Sequence, residues 1–283
     1  MNILSIQSQV AYGHVGNAAA VFALQRLGHE VWPIPTVEFS NHPAHGGFRG
    51  RVNDADMING LVDGLLEQGF LPECNAVLSG YMGSPANGAA SLAAVETVRG
   101  ENPDALYVCD PVFGHAGRGI FVAEGLPEFF RDNAVPKADI LTPNQFELEW
   151  LTDCEISSLQ DALQACQKLR NQGPHTIVCT SLCRNETGPD SVETLLVNND
   201  GAWLAQNKRL SGELFGAGDL FSALYLGHFL VENDPVQALS KAVSGTWAVL
   251  QLTADRGGGE LALIAAQDLM VDPADILTVA QVQ

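Results

Sequence analysis

The sequence predicts an α/β fold in which a mostly parallel β-sheet lies between two layers of helices. Short apolar runs alternate with helical patterns along most of the chain, as in folds whose parallel strands are joined by helices. Several of these runs are apolar throughout, which is typical of strands buried on both faces. Two further runs are joined by Asn198-Asn199-Asp200-Gly201. This connection predicts a hairpin, and hence an antiparallel addition to the sheet.

Strand patterns recur along the chain, and helical patterns fill the gaps between them. Gly28 ends the first helical pattern, Pro33 and Pro35 interrupt the second strand, and Ser84 with Pro85 forms an N-cap and first-turn pair. The predicted strands span residues 3–8, 30–39, 76–79, 106–109, 139–141, 176–180, 194–197 and 203–205. The predicted helices span residues 17–27, 55–68, 84–99, 145–151, 158–171, 219–231, 236–252 and 259 to about 270.

Composition restricts the class of protein. The 283 residues carry a net charge of −19 and are 46% hydrophobic, which favours a single globular domain spanning 1–283. The charge argues against a nucleic-acid surface, because phosphate backbones require clustered Lys and Arg. We expect neither a signal peptide nor a membrane span, since there is no basic leader and no long uncharged apolar run. The six cysteines lack zinc spacing, so we expect reduced thiols in a cytosolic protein.

The most informative stretch is residues 214–223, where a loop of small residues opens into an apolar helix. Gly216, Ala217 and Gly218 carry little or no side chain, so their backbone N–H groups can approach a ligand closely. A helix N-terminus has unpaired N–H groups and a positive dipole end, and therefore binds anions, phosphate above all. Asp219 has two interpretations. It accepts a proton from the group that attacks a phosphate, or it is only the N-cap of the helix.

Ligands of parallel sheets bind at the carboxyl ends of the strands. Ser8 ends the first predicted strand and precedes a glycine-containing loop at 13–17. The glycine-rich segment 41–50 is short of apolar residues, and is either a mobile loop that closes over a site or an ordinary surface loop. Tyr81 follows another strand, where it either stacks on a flat ligand ring or packs in the core.

Side chains rich in oxygen follow later strands. Asp110 comes directly after an apolar strand, where a carboxylate suits a metal ion or a turn. Asn144 and Glu147 lie three residues apart at the start of a helix and share a face, although Glu147 is alternatively a first-turn acid that complements the helix dipole. Together with Asp110, this pair predicts a magnesium site completed by water and phosphate oxygens. Thr180 and Ser181 offer hydroxyls to a phosphate or nucleotide.

Segments along nearly the whole chain resemble the pyridoxal kinase branch of the ribokinase-like superfamily. The Gly-x-Gly-Asp stretch marks only the superfamily, whereas the Phe-Ser-Asn-His and Ser-Gly-Tyr stretches point to vitamin B6. The matching segments are 5–8 (Ser-Ile-Gln-Ser), 13–17 (Gly-His-Val-Gly-Asn), 36–42 (Thr-Val-Glu-Phe-Ser-Asn-His), 78–81 (Leu-Ser-Gly-Tyr), 109–112 (Cys-Asp-Pro-Val), 142–147 (Thr-Pro-Asn-Gln-Phe-Glu) and 216–219 (Gly-Ala-Gly-Asp).

The resemblance implies a ribokinase-like three-layer α/β/α fold and a kinase of vitamin B6 salvage. Such enzymes phosphorylate the 5′-hydroxymethyl group of pyridoxal, and of its amine and alcohol relatives, with ATP and magnesium. The resemblance also implies a cytosolic homodimer that is often assisted by a monovalent cation such as K⁺. Asp219 matches the catalytic base. Substrate positions match at Ser8, Val37, Phe39 and Tyr81, and ATP and cation positions match at Asp110, Thr142, Asn144, Glu147, Thr180 and Ser181, with Asp110 and Glu147 as the metal candidates.

The mechanism that we expect is in-line phosphoryl transfer. Asp219 accepts the proton of the substrate 5′-hydroxyl, and the backbone N–H groups of Gly216, Ala217 and Gly218 stabilise charge on the transferring phosphoryl group. Closure of the 41–50 loop excludes water and limits futile hydrolysis of ATP.

Two positions depart from the family's pattern. Many members contact substrate through a Thr after the Asn-His pair, where this chain has Pro43 followed by Ala44, and proline stiffens the loop. Many members also have Gly-Thr-Gly-Asp, where this chain has Ala217. Both changes bear on substrate preference and rate more than on reaction type. The alternatives are a hydroxymethylpyrimidine kinase of thiamine synthesis and a vitamer-binding protein without catalysis.

Overall fold

The computed structural model describes residues 1–210, 212 and 214–283, and ten strands of this described part form one central sheet. In chain order the strands are β1 (Asn2–Val10), β2 (Glu30–Phe39), β3 (Gly50–Val52), β4 (Cys74–Ser79), β5 (Leu106–Cys109), β6 (Gly114–His115), β7 (Gly119–Ile120), β8 (Ile140–Leu141), β9 (Thr176–Leu182), β10 (Ser191–Val197), β11 (Ala202–Lys208), β12 (Leu214–Phe215), β13 (Gly259–Glu260) and β14 (Val279–Val282). The helices are α1 (Asn17–Arg26), α2 (Ala55–Glu67), α3 (Pro85–Glu101), α4 (Leu126–Phe129), α5 (Gln145–Thr152), α6 (Leu159–Arg170), α7 (Ala217–Glu232), α8 (Pro235–Asp255) and α9 (Gln267–Val271), with short 3₁₀ turns at Pro43–His45, Leu71–Glu73 and Val135–Lys137 and a π turn at Phe130–Ala134.

The middle of the sheet is parallel, as the alternating pattern predicted. Neighbouring strands run parallel in the order β9-β8-β5-β4-β1-β2. Antiparallel strands extend both edges: β3 pairs with β2 on one side, while β10, β11 and β14 follow β9 on the other. The hairpin at 198–201 is confirmed between β10 and β11. The carboxyl ends of the parallel strands therefore meet at one edge of the sheet.

Each face of the sheet is covered by its own apolar layer. Successive residues of a strand point to opposite faces, so Ile3 and Val108 belong to one core, whereas Leu4 and Cys109 belong to the other. Helices α1, α7 and α8 cover the first face, and α2, α3, α5 and α6 cover the second. The three-layer prediction is confirmed.

The helix predicted from 259 to about 270 is wrong in its first half. Gly257, Gly258 and Gly259 have φ of 104°, 78° and 91°, in the left-handed region that a right-handed helix cannot use. Gly259 and Glu260 instead form β13, and helix α9 begins only at Gln267. Apolar spacing after the glycines imitated a helical pattern that the backbone of these glycines interrupts.

Candidate active site

The carboxyl ends of the parallel strands meet the N-terminus of α7. Ser222, one turn into α7, donates its hydroxyl to Oδ2 of Asp110 after β5, at 2.9 Å. The Thr142 hydroxyl after β8 lies 2.9 Å from the same Ser222 oxygen. A backbone bridge between Asn144 and Thr180 joins the ends of β8 and β9. The structure therefore brings together most of the polar residues that the sequence analysis selected at separate strand ends.

The turn that begins α7 depends on a glycine. Gly216 has φ 86° and is the N-cap of α7, and a Cβ there would lie 2.0 Å from the carbonyl oxygen of His14. Helix α7 begins at Ala217, so Asp219 is its third residue and the interpretation of Asp219 as the N-cap is wrong. Gly218 is exposed. The first-turn N–H groups that a helix leaves unpaired are therefore presented at this edge, with Asp219 beside them.

Burial raises the pKa of both aspartates of the site, Asp110 and Asp219. Asp110 is only 4% exposed, and its burial together with the charge of Asp219 raises its pKa to about 8, against the lowering effect of the Ser222 hydrogen bond. Burial also raises the pKa of Asp219, while a hydrogen bond from the Gly16 backbone lowers it. A carboxyl whose pKa lies closer to the working pH is a better proton acceptor than an ordinary surface aspartate.

Glu147 is held by backbone donors. Its Oε1 accepts from the N–H groups of Phe113 (3.0 Å) and Gly114 (3.3 Å), and its Oε2 accepts from Asn144 N–H (2.9 Å). The Asn144 side chain in turn accepts from Glu147 N–H, which completes a capping box at the start of α5. Burial and the charge of Asp110 raise the pKa of Glu147, whereas the three N–H donors lower it. The first-turn interpretation of Glu147 is confirmed, and its role toward a cation stays a prediction.

The end of β9 has an unusual backbone. Thr180 is half-buried, with its N–H donating to the carbonyl of Pro143 at 2.9 Å. Ser181 is exposed and has φ 54°, a conformation that a non-glycine residue rarely adopts and that is common at ligand sites. Both side chains thus lie at the predicted edge of the sheet.

The positions predicted to contact a vitamer are spread around the ends of β1, β2 and β4. Ser8 is 8% exposed, and a Cβ on Gly16 would lie 2.2 Å from its Oγ. Tyr81 is half-buried, which raises its pKa. Val37 is fully buried, so a ligand reaches it only if its neighbours move. Phe39 is half-buried.

The predicted loop 41–50 folds back onto this edge. A hydrogen bond joins the two ends of the loop: the N–H of Ser40 donates to the Arg49 carbonyl at 2.7 Å. Pro43 and Ala44 lie in a 3₁₀ turn in which Ala44 N–H donates to Nδ1 of His42. Ala44, with His45, Phe215 and the glycines at 257–259, lines a cavity of about 520 Å³. That volume is in the range of small-molecule sites.

Three residues of this edge were not found from the sequence. Ser222 is three residues after Asp219, and that i, i+3 spacing on one helix was the available signal. Phe215 and Glu260 come together only because β12 pairs with β13, and two-residue strands carry no periodic pattern. Nothing in the local sequence predicts that pairing.

A helix N-terminus suited to an anion, beside the buried Asp110 and the half-buried Asp219 at the carboxyl edge of a parallel sheet, is the arrangement expected of a phosphoryl-transfer site. In the described ranges we find no helix with the length and apolar character needed to cross a bilayer. All six cysteines are free thiols, four of them buried.

Comparisons with known proteins agree with this class. A family model described as phosphomethylpyrimidine kinase matches residues 74–262. The pyridoxal kinase PdxY of Rubrobacter xylanophilus is 51% identical over 274 residues, covering 96% of this chain and 94% of the relative. That of Granulibacter bethesdensis is also 51% identical, covering 97% of each chain.

The fold comparison gives the same result. The pyridoxal kinase from Leishmania donovani, solved in complex with ADP and pyridoxamine, superposes with a TM-score of 0.93 at 29% identity, covering 100% of this chain and 99% of that one. The chain belongs to the pyridoxal kinase family. The expected family and its ribokinase-like fold are therefore confirmed.

Proposed function

We propose that this protein catalyses the ATP-dependent phosphorylation of the 5′-hydroxyl of pyridoxal and related B6 vitamers, which yields pyridoxal 5′-phosphate in a salvage reaction. One observation carries the proposal: Asp219 lies in the first turn of α7, beside the glycine-lined helix end, in a chain 51% identical to named pyridoxal kinases. The Leishmania donovani relative was solved with ADP and pyridoxamine together, which supports a site for nucleotide and vitamer on the same fold.

Asp219 acts as the proton acceptor for the vitamer hydroxyl in this proposal. The resulting oxygen attacks the γ-phosphate of ATP, and the N–H groups of Gly216, Ala217 and Gly218 stabilise charge on the transferring group. Burial raises the pKa of Asp219, which strengthens it as a base once it is ionised.

The remaining predicted positions divide between the two substrates. Vitamer contacts are proposed at Ser8, Val37, Phe39, Pro43, Ala44 and Tyr81, and ATP contacts at Asp110, Thr142, Asn144, Glu147, Thr180 and Ser181. The loop 41–50 closes over both substrates and excludes water.

The donor set fits magnesium. Asp110 and Glu147 are buried acids, and burial together with the charge of Asp110 raises the pKa of Glu147. A nearby cation would favour the ionised form of both carboxyls. In the described part of the chain no group of three or more His, Cys, Asp or Glu side chains has the geometry of a metal site. The two carboxylates Asp110 and Glu147 suit Mg²⁺, which prefers one or two carboxylates plus waters and phosphate oxygens. Asp110 and Glu147, or waters bound to them, would hold it, and the bound ion would neutralise phosphate charge.

We extend the proposal to the organisation of the protein. It comprises one kinase domain over 1–283, works as a cytoplasmic homodimer, and responds to K⁺. The family resemblance supports each of these statements. Gel filtration, and assays with K⁺ replaced by Na⁺, test the oligomeric state and the cation.

Hydroxymethylpyrimidine phosphorylation is the second candidate, because the matching family model is described as phosphomethylpyrimidine kinase. A coupled assay of ADP release, with ATP fixed, separates the two. We expect kcat/KM for pyridoxal to exceed that for hydroxymethylpyrimidine at least 100-fold, with pyridoxine and pyridoxamine ranked in the same panel. Faster turnover of hydroxymethylpyrimidine would overturn the proposal. An absence of ADP release above background with either compound would favour the vitamer-binding protein without catalysis.

A further inference from the structure

We propose that Glu260 is a positioning residue that fastens the 41–50 loop to the anion-binding end of α7 and so sets how the loop closes over the substrates. This inference rests on the proposed kinase function, because the loop has a catalytic consequence only if substrates are bound beneath it. Glu260 was assigned to a helix by its sequence pattern, and only the observed β13 strand places its side chain in the site.

The two oxygens of Glu260 hold two different loops. Oε1 lies 2.6 Å from Nε2 of His45, in the 41–50 loop, and Oε2 accepts the backbone N–H of His14 at 2.9 Å, in the loop after β1. The Glu260 side chain is only 14% exposed. Water therefore competes for these hydrogen bonds less than it would at an exposed carboxylate. One carboxylate thus joins three segments that are far apart in sequence.

The contact continues directly to the anion-binding turn. Phe215 pairs with Glu260 across β12 and β13 and immediately precedes Gly216. Glu260 accepts the backbone N–H of His14. The carbonyl oxygen of the same His14 lies 2.0 Å from the position that a Cβ on Gly216 would occupy. A displacement of Glu260 is therefore transmitted through His14 to the first turn of α7.

The sequence leaves room for the Glu260 carboxylate. Gly13 has φ 99°, and a Cβ on it would lie 2.1 Å from Oε2 of Glu260. A side chain at position 13 would occupy the place of the carboxylate. Gly13 thus makes the Glu260 contact possible.

Aromatic contacts reinforce the same attachment. The Phe215 ring stacks on His42 with centroids 4.4 Å apart, and His45 meets the same ring edge-on at 5.5 Å. Tyr12 contacts His45 from the other side, at 6.0 Å. The loop therefore rests on the segment that leads into the catalytic helix, with His45 at the centre of the contact.

Hydrogen exchange on the full-length protein, followed by mass spectrometry, tests this attachment without reference to activity. We expect exchange in segment 41–48 to be about tenfold faster in Glu260→Ala and in His45→Ala, which corresponds to about 1.4 kcal/mol. The His14 amide should exchange faster in Glu260→Ala only, since His45→Ala leaves that hydrogen bond intact. Because the two variants share the loss of the Glu260–His45 contact, the increase in exchange in 41–48 in the double variant should be smaller than the product of the two single increases. Two exposed residues serve as controls, with Glu101→Ala and His175→Ala expected to match the wild type.

Kinetics separate positioning from general stability. We expect Glu260→Ala and His45→Ala to raise KM for pyridoxal about tenfold, with kcat within threefold, and to increase ATP hydrolysis in the absence of vitamer. Glu260→Gln should lie between wild type and Glu260→Ala, because an amide oxygen still accepts one of the two hydrogen bonds.

Unchanged exchange in 41–48 in the soluble, folded His45→Ala variant would overturn the inference, even if Glu260→Ala fails to fold. If exchange responds as expected but the wild type does not phosphorylate pyridoxal, the attachment stands and the proposed function fails.

Discussion

The burial of Asp110 should affect both the stability of the folded protein and its kinase activity. We expect Asp110→Asn to stabilise the nucleotide-free and metal-free protein above pH 7, while lowering kinase activity at least 100-fold. Asparagine has nearly the same shape and can still accept the Ser222 hydrogen bond, but it carries no charge. The substitution removes a buried carboxylate that lies beside Asp219 and raises the pKa of Glu147.

The size of this effect follows from the pKa of Asp110. Folding raises it from 3.8 to about 8, so the folded protein binds a proton between these pH values that the unfolded chain has released. The stability that this bound proton contributes is therefore fully present below about pH 4 and is lost as the pH rises toward 8. At about 1.4 kcal/mol per pH unit, the free energies of unfolding of Asp110→Asn and the wild type differ by at most about 6 kcal/mol. Relaxation of the folded protein and entry of water reduce the expected difference to about 2–4 kcal/mol.

Urea unfolding between pH 5 and pH 9, in magnesium-free buffer, measures this difference. The wild type should lose stability across this range relative to Asp110→Asn, and the gap should be widest above pH 8. Asp104→Asn, at an exposed loop position, should follow the wild type. Parallel curves for wild type and Asp110→Asn across the whole range would refute the reasoning, because the carboxyl would then be ionised in both folded and unfolded states.

Two further substitutions test the geometry around α7. Ser222→Ala removes the donor to Asp110, so it should raise the pKa of Asp110 further. It should lower kcat about 12- to 160-fold, which corresponds to the roughly 1.5–3 kcal/mol of a hydrogen bond to a charged group; a pH–rate profile identical to that of the wild type would contradict this. Gly216→Ala places a Cβ 2.0 Å from the His14 carbonyl at φ 86°. It should cost about 2–4 kcal/mol of stability and most of the activity. Gly100→Ala, in α3 with open space around it, should be neutral or stabilising by up to about 1 kcal/mol in the same urea unfolding assay.

The parallel sheet was predictable because its strands are short apolar runs, buried on both faces and separated by helical patterns. The Asn144–Glu147 capping box was also accessible, since both residues lie within one helical turn. In each case the physical cause is local in the chain, so a short window of sequence contains it.

The interactions that organise the site are not local. Ser222 matters because α7 places it against Asp110, which is 112 residues away. Glu260 contacts His14 across 246 residues, and its place depends on positive φ angles in the glycines before it. Apolar spacing after those glycines suggested a helix, because periodicity does not report backbone handedness.

Asp219→Asn tests the central claim most directly, with activity and stability measured on the same preparation. We predict that kcat for pyridoxal falls roughly 10²- to 10⁴-fold, as expected on removal of a general base, while KM for ATP stays within threefold and the urea midpoint is unchanged or raised. A folded Asp219→Asn protein that keeps more than a third of the wild-type kcat would contradict the assignment of this carboxylate as the proton acceptor.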